Sequence, residues 1–206
     1  LLGSSGIREM DNPKVSVVLT VFRRTQYIRE ALESVLSQTM KDFELIVMDD
    51  SCDAVIKEIV ASYHDKRLIY HCNPSPLGVA LNVSKAIEMA RADLISIIND
   101  DDSWTPDFLK SLYFPLSKDK RYVIAFSDHW IMSNRGEIDE HQTDITSRRY
   151  GRKELPEGEI SDFPSFVLEK NGVPLAMASM FRKDALKLDL IVTEVSGAYD
   201  LWISCL

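Results

Sequence analysis

The chain has 206 residues, room for one α/β domain with a substantial core and too few for two. Its 24 basic residues against 32 acidic ones leave a formal charge of −8, which argues against a nucleic-acid backbone as main partner. A nucleotide-sized ligand stays compatible with that charge, because a metal can neutralise a diphosphate locally.

Composition is that of an ordinary soluble domain, with 45% hydrophobic and 27% charged residues. No uninterrupted apolar stretch approaches the ~20 residues that span a bilayer, and no signal-peptide pattern is visible. Cys52, Cys72 and Cys205 fall in no CxxC or metal-finger spacing. So sparse and odd a set suits a reducing compartment better than a disulfide scaffold. The expected location is cytoplasmic, with peripheral attachment to the inner face of a membrane left open. Gly3-Ser4-Ser5-Gly6 reads as a linker, so residues 1–10 are expected to be a tag and disordered start, and 11–206 a single domain. Leu201-Trp202-Ile203-Ser204-Cys205-Leu206 lies inside an apolar helical pattern, which reads as a C-terminal truncation.

Residues 15–22 are apolar and rich in β-branched side chains, the pattern of a buried parallel strand. Thr25 can cap a helix whose apolar face is Ile28, Ala31, Leu32, Val35 and Leu36. Gln38 and Thr39 read as its end. A second buried strand, 43–48, stops abruptly at Asp49-Asp50-Ser51-Cys52-Asp53. A helix near 53–63 and a strand over 67–71 follow. Asn73-Pro74-Ser75-Pro76-Leu77-Gly78 breaks structure, and Val79, Leu81, Val83, Ala86, Ile87 and Ala90 form an amphipathic helix after it. The fourth strand, 93–98, ends in Asn99-Asp100-Asp101-Asp102, and Thr105-Pro106-Asp107 predicts the next helix start. Four strand–helix alternations imply right-handed crossovers and a parallel sheet. A fifth strand over 122–127 leads through Asp128-His129-Trp130 to a hairpin near Asn134-Arg135-Gly136. Residues 139–160 read as a surface excursion, 176–182 as one more strand, and 198–206 as a last helix.

In open parallel sheets, ligands bind beyond the carboxyl ends of the strands, where the strand order reverses. Here those ends carry residues 20–24, Asp49-Asp50 and Asp100-Asp101-Asp102. Crowded carboxylates raise one another's pKa, and a cation relieves the repulsion. Mg²⁺ or Mn²⁺ suits such a place, being held by one or two carboxylates, substrate phosphates and water. Taken alone, Asp100-Asp101-Asp102 reads equally well as a solvated helix cap. Taken alone, Phe22 also fits plain core packing, and Thr20 a buried hydroxyl satisfied by backbone.

Four blocks in order (15–20, Ser34-Val35-Leu36-Ser37-Gln38-Thr39, 43–50 and 99–102) resemble the family 2 glycosyltransferases, with an echo at Tyr199-Asp200-Leu201-Trp202. Lys41-Asp42-Phe43-Glu44 and Ala86-Ile87-Glu88-Met89-Ala90 are similar to the type that makes spore-coat polysaccharide. The resemblance implies a GT-A fold, a Rossmann-like three-layer sandwich around a mainly parallel sheet. It implies a nucleotide-sugar donor, UDP-sugar favoured, a glycan or glycoconjugate acceptor and Mn²⁺ or Mg²⁺. By matching positions, Asp50 would meet the donor's base, Thr20 and Phe22 would line the nucleotide pocket, Asp100 would face the ribose side, and Asp101 would join these donor-binding residues. Asp101 or Asp102 would touch the metal. The family's inverting mechanism needs a carboxylate base, which usually lies in an acidic pair before a Tyr-Asp-Leu-Trp-like segment. Gly197-Ala198 replaces that pair here, leaving Asp200 and Glu194 as candidates. Arg23 stands where the family often has Asn, and Leu81 where it often has Arg. Two other readings stay open: a degenerate domain that binds nucleotide-sugar without turnover, and a sugar nucleotidyltransferase. The latter usually has a glycine-rich loop after its first strand, and Thr20-Val21-Phe22-Arg23-Arg24 contains no glycine.

Overall fold

The computed structural model describes residues 12–174 and 176–191. Six strands form one sheet in the order β3-β2-β1-β4-β6-β5: β1 Val15–Val21, β2 Phe43–Asp49, β3 Leu68–Cys72, β4 Leu94–Asn99, β5 Ile124–Phe126 and β6 Ser179–Arg182. The first four are mutually parallel, and β6 runs antiparallel between β4 and β5. β1 and β2 are buried at every position, as a central strand covered on both faces must be.

Alternate residues of β1 serve opposite layers. Val15, Val17, Leu19 and Val21 pack with α1 (Ile28–Leu36), α2 (Ala54–Ala61) and α4 (Phe108–Lys118). Val18 instead joins Ile46, Ile95 and Ile97 against α3 (Val79–Met89). The result is the expected three-layer sandwich. The chain extends the sheet through β2 and β3, then returns past β1 to lay down β4, so the order reverses between β1 and β4. Register brings the strand ends level: Thr20 is opposite Asn99, Val21 opposite Asp49, and Asp49 opposite Cys72. The acidic segments therefore share one edge.

Two helix starts differ from expectation. α1 begins after Tyr27, with no side-chain cap, rather than at Thr25. α4 begins at Phe108, because Thr105-Pro106-Asp107 is held in a turn by contacts from the end of α1. Gln38 is fully buried there: its Nε2 donates to the Ser34 and Thr105 carbonyls at 3.0 and 2.7 Å, and its Oε1 accepts from the Leu109 amide at 3.0 Å. Thr39 donates its amide to the Pro106 carbonyl and its hydroxyl to Asp107. These residues do more than end a helix; they clamp the segment following the acidic run.

The region 139–160 is not a bare excursion. It contains α5 (Glu140–Arg149), capped by the Asp139 carboxylate and exposed along most of its length, which is why an apolar period did not reveal it. α6 (Phe163–Leu168) follows, burying Phe166 and Val167. The expected hairpin is reduced to one antiparallel bridge between Met132 and Ile138, with Gly136 at φ +78° in its turn. The helix expected over 198–206 lies outside the described residues.

Cys52 and Cys72 form a disulfide, contrary to the expectation of free thiols. β2–β3 register is the cause: Cys72 is opposite Asp49, and the turn after Asp49 carries Cys52 back over it. A separation of 20 residues carries no such signal in the sequence.

Gln38→Ala should lower unfolding free energy by about 2–3 kcal/mol, since it strands the Leu109 amide and the Thr105 carbonyl in the interior. Urea denaturation checks this, and a loss below ~0.5 kcal/mol would mean the clamp contributes little.

Candidate active site

The two acidic clusters are satisfied in different ways. Asp49 is a turn organiser: its carboxylate accepts from the amides of Ser51, Cys52 and Asp53, the Ser51 hydroxyl and the Tyr70 hydroxyl, at 2.6–3.1 Å. Asp50 is 4% exposed and fastens β2 to the loop before α3. Its Oδ1 accepts from Asn73 Nδ2 and the Leu77 amide at 2.9 and 2.8 Å, and its Oδ2 from the Gly78 amide at 2.9 Å. Oδ2 thus retains acceptor capacity for an N–H outside the protein. Asn73 and Gly78 were not singled out from sequence. Gly78, at φ +83°, is the N-cap of α3, a backbone conformation that side chains rarely adopt.

A cavity of about 530 Å³ opens at this edge, lined by Thr20, Phe22, Asp50, Asp100 and Asp101, together with Arg24. Five of the residues singled out from sequence thus share one space. Thr20 donates weakly to Asn99 Oδ1 at 3.3 Å and is nearly buried. Phe22 is 48% exposed, so its ring faces the cavity rather than the core. The Arg23 guanidinium lies 4.9 Å from that ring, while Arg23 itself has φ +58°.

Asp100, Asp101 and Asp102 are not equivalent. Asp100 is 5% exposed, and burial, reinforced by Asp101, lifts its pKa to about 6 against the pull of Arg24. Asp102 is likewise pushed up to about 6 by burial and then by Asp101. Asp101 is exposed and meets the Arg24 guanidinium directly, while the same Nη1 lies 3.3 Å from Asp100 Oδ1. Carboxylate oxygens of two residues therefore converge on one positive group.

Asp101 and Asp102 also line a second cavity, of about 810 Å³. Its far wall includes His129, exposed Trp130, Tyr150 and Arg152. Asp128 organises this wall: Arg152 Nε donates to its Oδ1 at 2.8 Å, and Ser147 of α5 donates to its Oδ2. Burial pushes the Asp128 carboxyl up, but those hydrogen bonds outweigh it and hold the pKa below the usual value. Burial, helped by Arg152, holds His129 below the ordinary imidazole pKa. Asp128-His129-Trp130 was read from sequence only as a strand exit. Glu194 and Asp200 lie outside the described residues, so their relation to either cavity is not defined.

The model for Glycosyl transferase family 2 matches residues 16–187. The chain belongs to that family. An uncharacterised glycosyltransferase of Methanocaldococcus jannaschii is 28% identical over 208 residues, covering 97% of this chain and 67% of the relative. Another, from Rickettsia typhi, is 28% identical over 199 residues, covering 95% of this chain and 59% of the relative. Among solved structures, S. aureus TarS in complex with UDP-GlcNAc superposes with TM-score 0.66 at 19% identity, covering 93% of this chain and 52% of that one. A mannosyltransferase of Pyrobaculum calidifontis in complex with GDP-Man and Mn²⁺ gives TM-score 0.61 at 16% identity, covering 93% and 51%. These superpositions establish the GT-A fold. The chain spans roughly half to two-thirds of the length of these proteins. Among the described residues, no helix is long and apolar enough to cross a membrane.

The raised carboxylates fix a sign for pH dependence. A carboxyl whose folded pKa exceeds its unfolded 3.8 keeps its proton longer in the native state, so stability falls as pH rises from about 4 through about 6. Asp100→Asn should remove its share of that loss. Its stability relative to the unsubstituted protein should improve by on the order of 2 kcal/mol between pH 4 and pH 8, as read from metal-free thermal unfolding. A constant difference across that range would refute the assignment.

Proposed function

We propose that this family 2 domain is a metal-dependent, inverting glycosyltransferase that moves a sugar from a nucleoside-diphospho-sugar, UDP-sugar favoured, to a glycan or glycoconjugate acceptor. The observation that carries this is the meeting of two cavities at Asp101. A transferase must hold donor and acceptor on either side of one reacting centre, and orienting them there supplies much of the rate. Thr20, Phe22, Asp50 and Asp100 line one side, with Phe22 offering an aromatic face and Asp50 Oδ2 an acceptor for a base N–H.

The residues present fit a divalent cation. Among the described residues no three ligating side chains gather into a closed cage, but Mg²⁺ and Mn²⁺ typically take one or two carboxylates and complete their shell with phosphate and water. Asp101 or Asp102 would hold the cation, and convergence of carboxylate oxygens on the Arg24 guanidinium shows that this edge attracts positive charge. When bound, the cation supplies Lewis-acid stabilisation to a departing diphosphate. Asp100, on the ribose side, would orient the donor. An acceptor hydroxyl attacks the anomeric carbon, the bond to the diphosphate oxygen breaks with inversion, and the hydroxyl proton passes to a carboxylate base. Asp200 and Glu194 are the candidates for that base. The UDP and GDP-Man complexes of the two structural neighbours make both bases worth testing. The domain would work in the cytoplasm; the disulfide weighs against a strictly reducing setting, whereas the sparse cysteine content favours one.

Replacement of the family's acidic pair by Gly197-Ala198 favours a second reading, a domain that binds nucleotide-sugar without turnover. Calorimetry with Mn²⁺ and UDP or GDP should show nucleotide binding that Asp101→Ala weakens by about ten-fold or more, ~1.4 kcal/mol. Binding indifferent to Asp101→Ala would overturn the metal assignment. In transfer or donor-hydrolysis assays, Asp200→Asn or Glu194→Gln should lower kcat by about 10²-fold or more with nucleotide affinity retained. Nucleotide binding without any turnover in the unsubstituted protein would establish the second reading.

A further inference from the structure

We propose that Arg24 is a built-in counter-cation that, paired with Asp101, occupies the position a divalent cation would take there, and that it moves to the donor diphosphate when the cation enters. This rests on the metal reading above and adds an order and an energetic coupling to it.

Three observations carry the inference. First, a single guanidinium nitrogen contacts both Asp101 Oδ2 and Asp100 Oδ1, so the carboxylate oxygens best placed for a cation already hold a positive group. Second, Arg24 lies in the loop between β1 and α1 and its side chain is 48% exposed, so it can swing without disturbing the core. Third, Arg24 lines the same cavity as Thr20, Phe22 and Asp50, where a diphosphate linking nucleoside and sugar would lie near the carboxylates.

A cation and a guanidinium on the same carboxylate compete for its lone pairs and repel each other, so each weakens the hold of the other. A cation arriving alone works against the ion pairs of Arg24 and drives the guanidinium toward water. A cation arriving with a nucleoside diphosphate gives it a new acceptor, and the guanidinium fork matches phosphate oxygens well. Arg24 thus offsets part of the charge of the acidic run in the empty protein, and cation and donor are favoured together.

The test measures Mn²⁺ binding in the absence of nucleotide, by calorimetry and by the electron paramagnetic resonance signal of free Mn²⁺. It compares the unsubstituted protein with Arg24→Gln and Arg23→Gln. Arg23→Gln removes the same charge one residue away, from a guanidinium that faces the Phe22 ring. Arg24→Gln should bind Mn²⁺ alone about five-fold or more tightly than the unsubstituted protein, while Arg23→Gln stays within about two-fold. With Mn²⁺ saturating, Arg24→Gln should bind UDP about five-fold or more weakly. An Arg24→Gln affinity for Mn²⁺ equal to that of the unsubstituted protein, or matched by Arg23→Gln, would overturn the proposal and leave the metal reading standing. Mn²⁺ binding to none of the three, in protein that binds UDP, would overturn both.

Discussion

Negative charge gathered at the carboxyl edge of a parallel sheet is the constraint on which this domain turns. Register places the ends of β1, β2, β3 and β4 level, so Asp49-Asp50 and Asp100-Asp101-Asp102 must be accommodated side by side. The protein uses two kinds of relief. Around Asp49 and Asp50 the backbone itself donates, through amides of the following turn and of the segment entering α3. Those hydrogen bonds satisfy the carboxylate oxygens from within the fold. Asp100 and Asp102 lack a comparable ring of donors, and both have their pKa raised to about 6. Demand for positive charge at the second cluster is met in part by the Arg24 guanidinium, whereas the first cluster is satisfied by the turn it organises.

That demand has a structural cost, which neighbouring elements offset. Gln38 and Thr39 bind the turn before α4, and Trp104 donates its indole N–H to the Met177 carbonyl while stacking on Phe108 at 4.2 Å. The acidic run is thereby tied to the end of α1 on one side and to the segment entering β6 on the other. Carboxylates that repel one another need such fixed ends, because a loose segment would splay them into solvent and lose the convergence.

Most of this edge was legible in the sequence, because buried parallel strands announce themselves as short β-branched runs and their ends as abrupt acidic breaks. Thr20, Phe22, Asp50, Asp100 and Asp101 do meet in one cavity. What escaped notice depended on pairing rather than on local pattern. β6 is a visible apolar run, but only its partners fix it antiparallel between β4 and β5. α5 has almost no apolar face, so no period marks it. Cys52 and Cys72 meet through strand register, and Arg24 reaches the carboxylates through a loop conformation. Thr25 and Thr105 carry good capping chemistry, yet neither caps a helix. Contacts from the end of α1 displace the start of α4, so tertiary geometry overrides a strong local signal there.

The unequal burial of the three adjacent acids also bears on how the two cavities communicate. Asp100 is enclosed on the side of the smaller cavity, Asp102 faces the larger one, and exposed Asp101 belongs to both. A positive charge at Asp101 borders both spaces, whereas one at Asp100 borders only the smaller. Across the larger cavity, Arg152 is nearly buried but largely neutralised by Asp128, so that wall adds little net charge of its own. Whatever group Asp101 holds therefore borders both cavities. With Arg24 there, Asp101 is paired and a divalent cation competes with the guanidinium for it. With Arg24 turned toward a diphosphate, the same carboxylate is free to hold one. A single side chain at the boundary can thus link the filling of one cavity to the electrostatics of the other, without any movement of the sheet that carries them both.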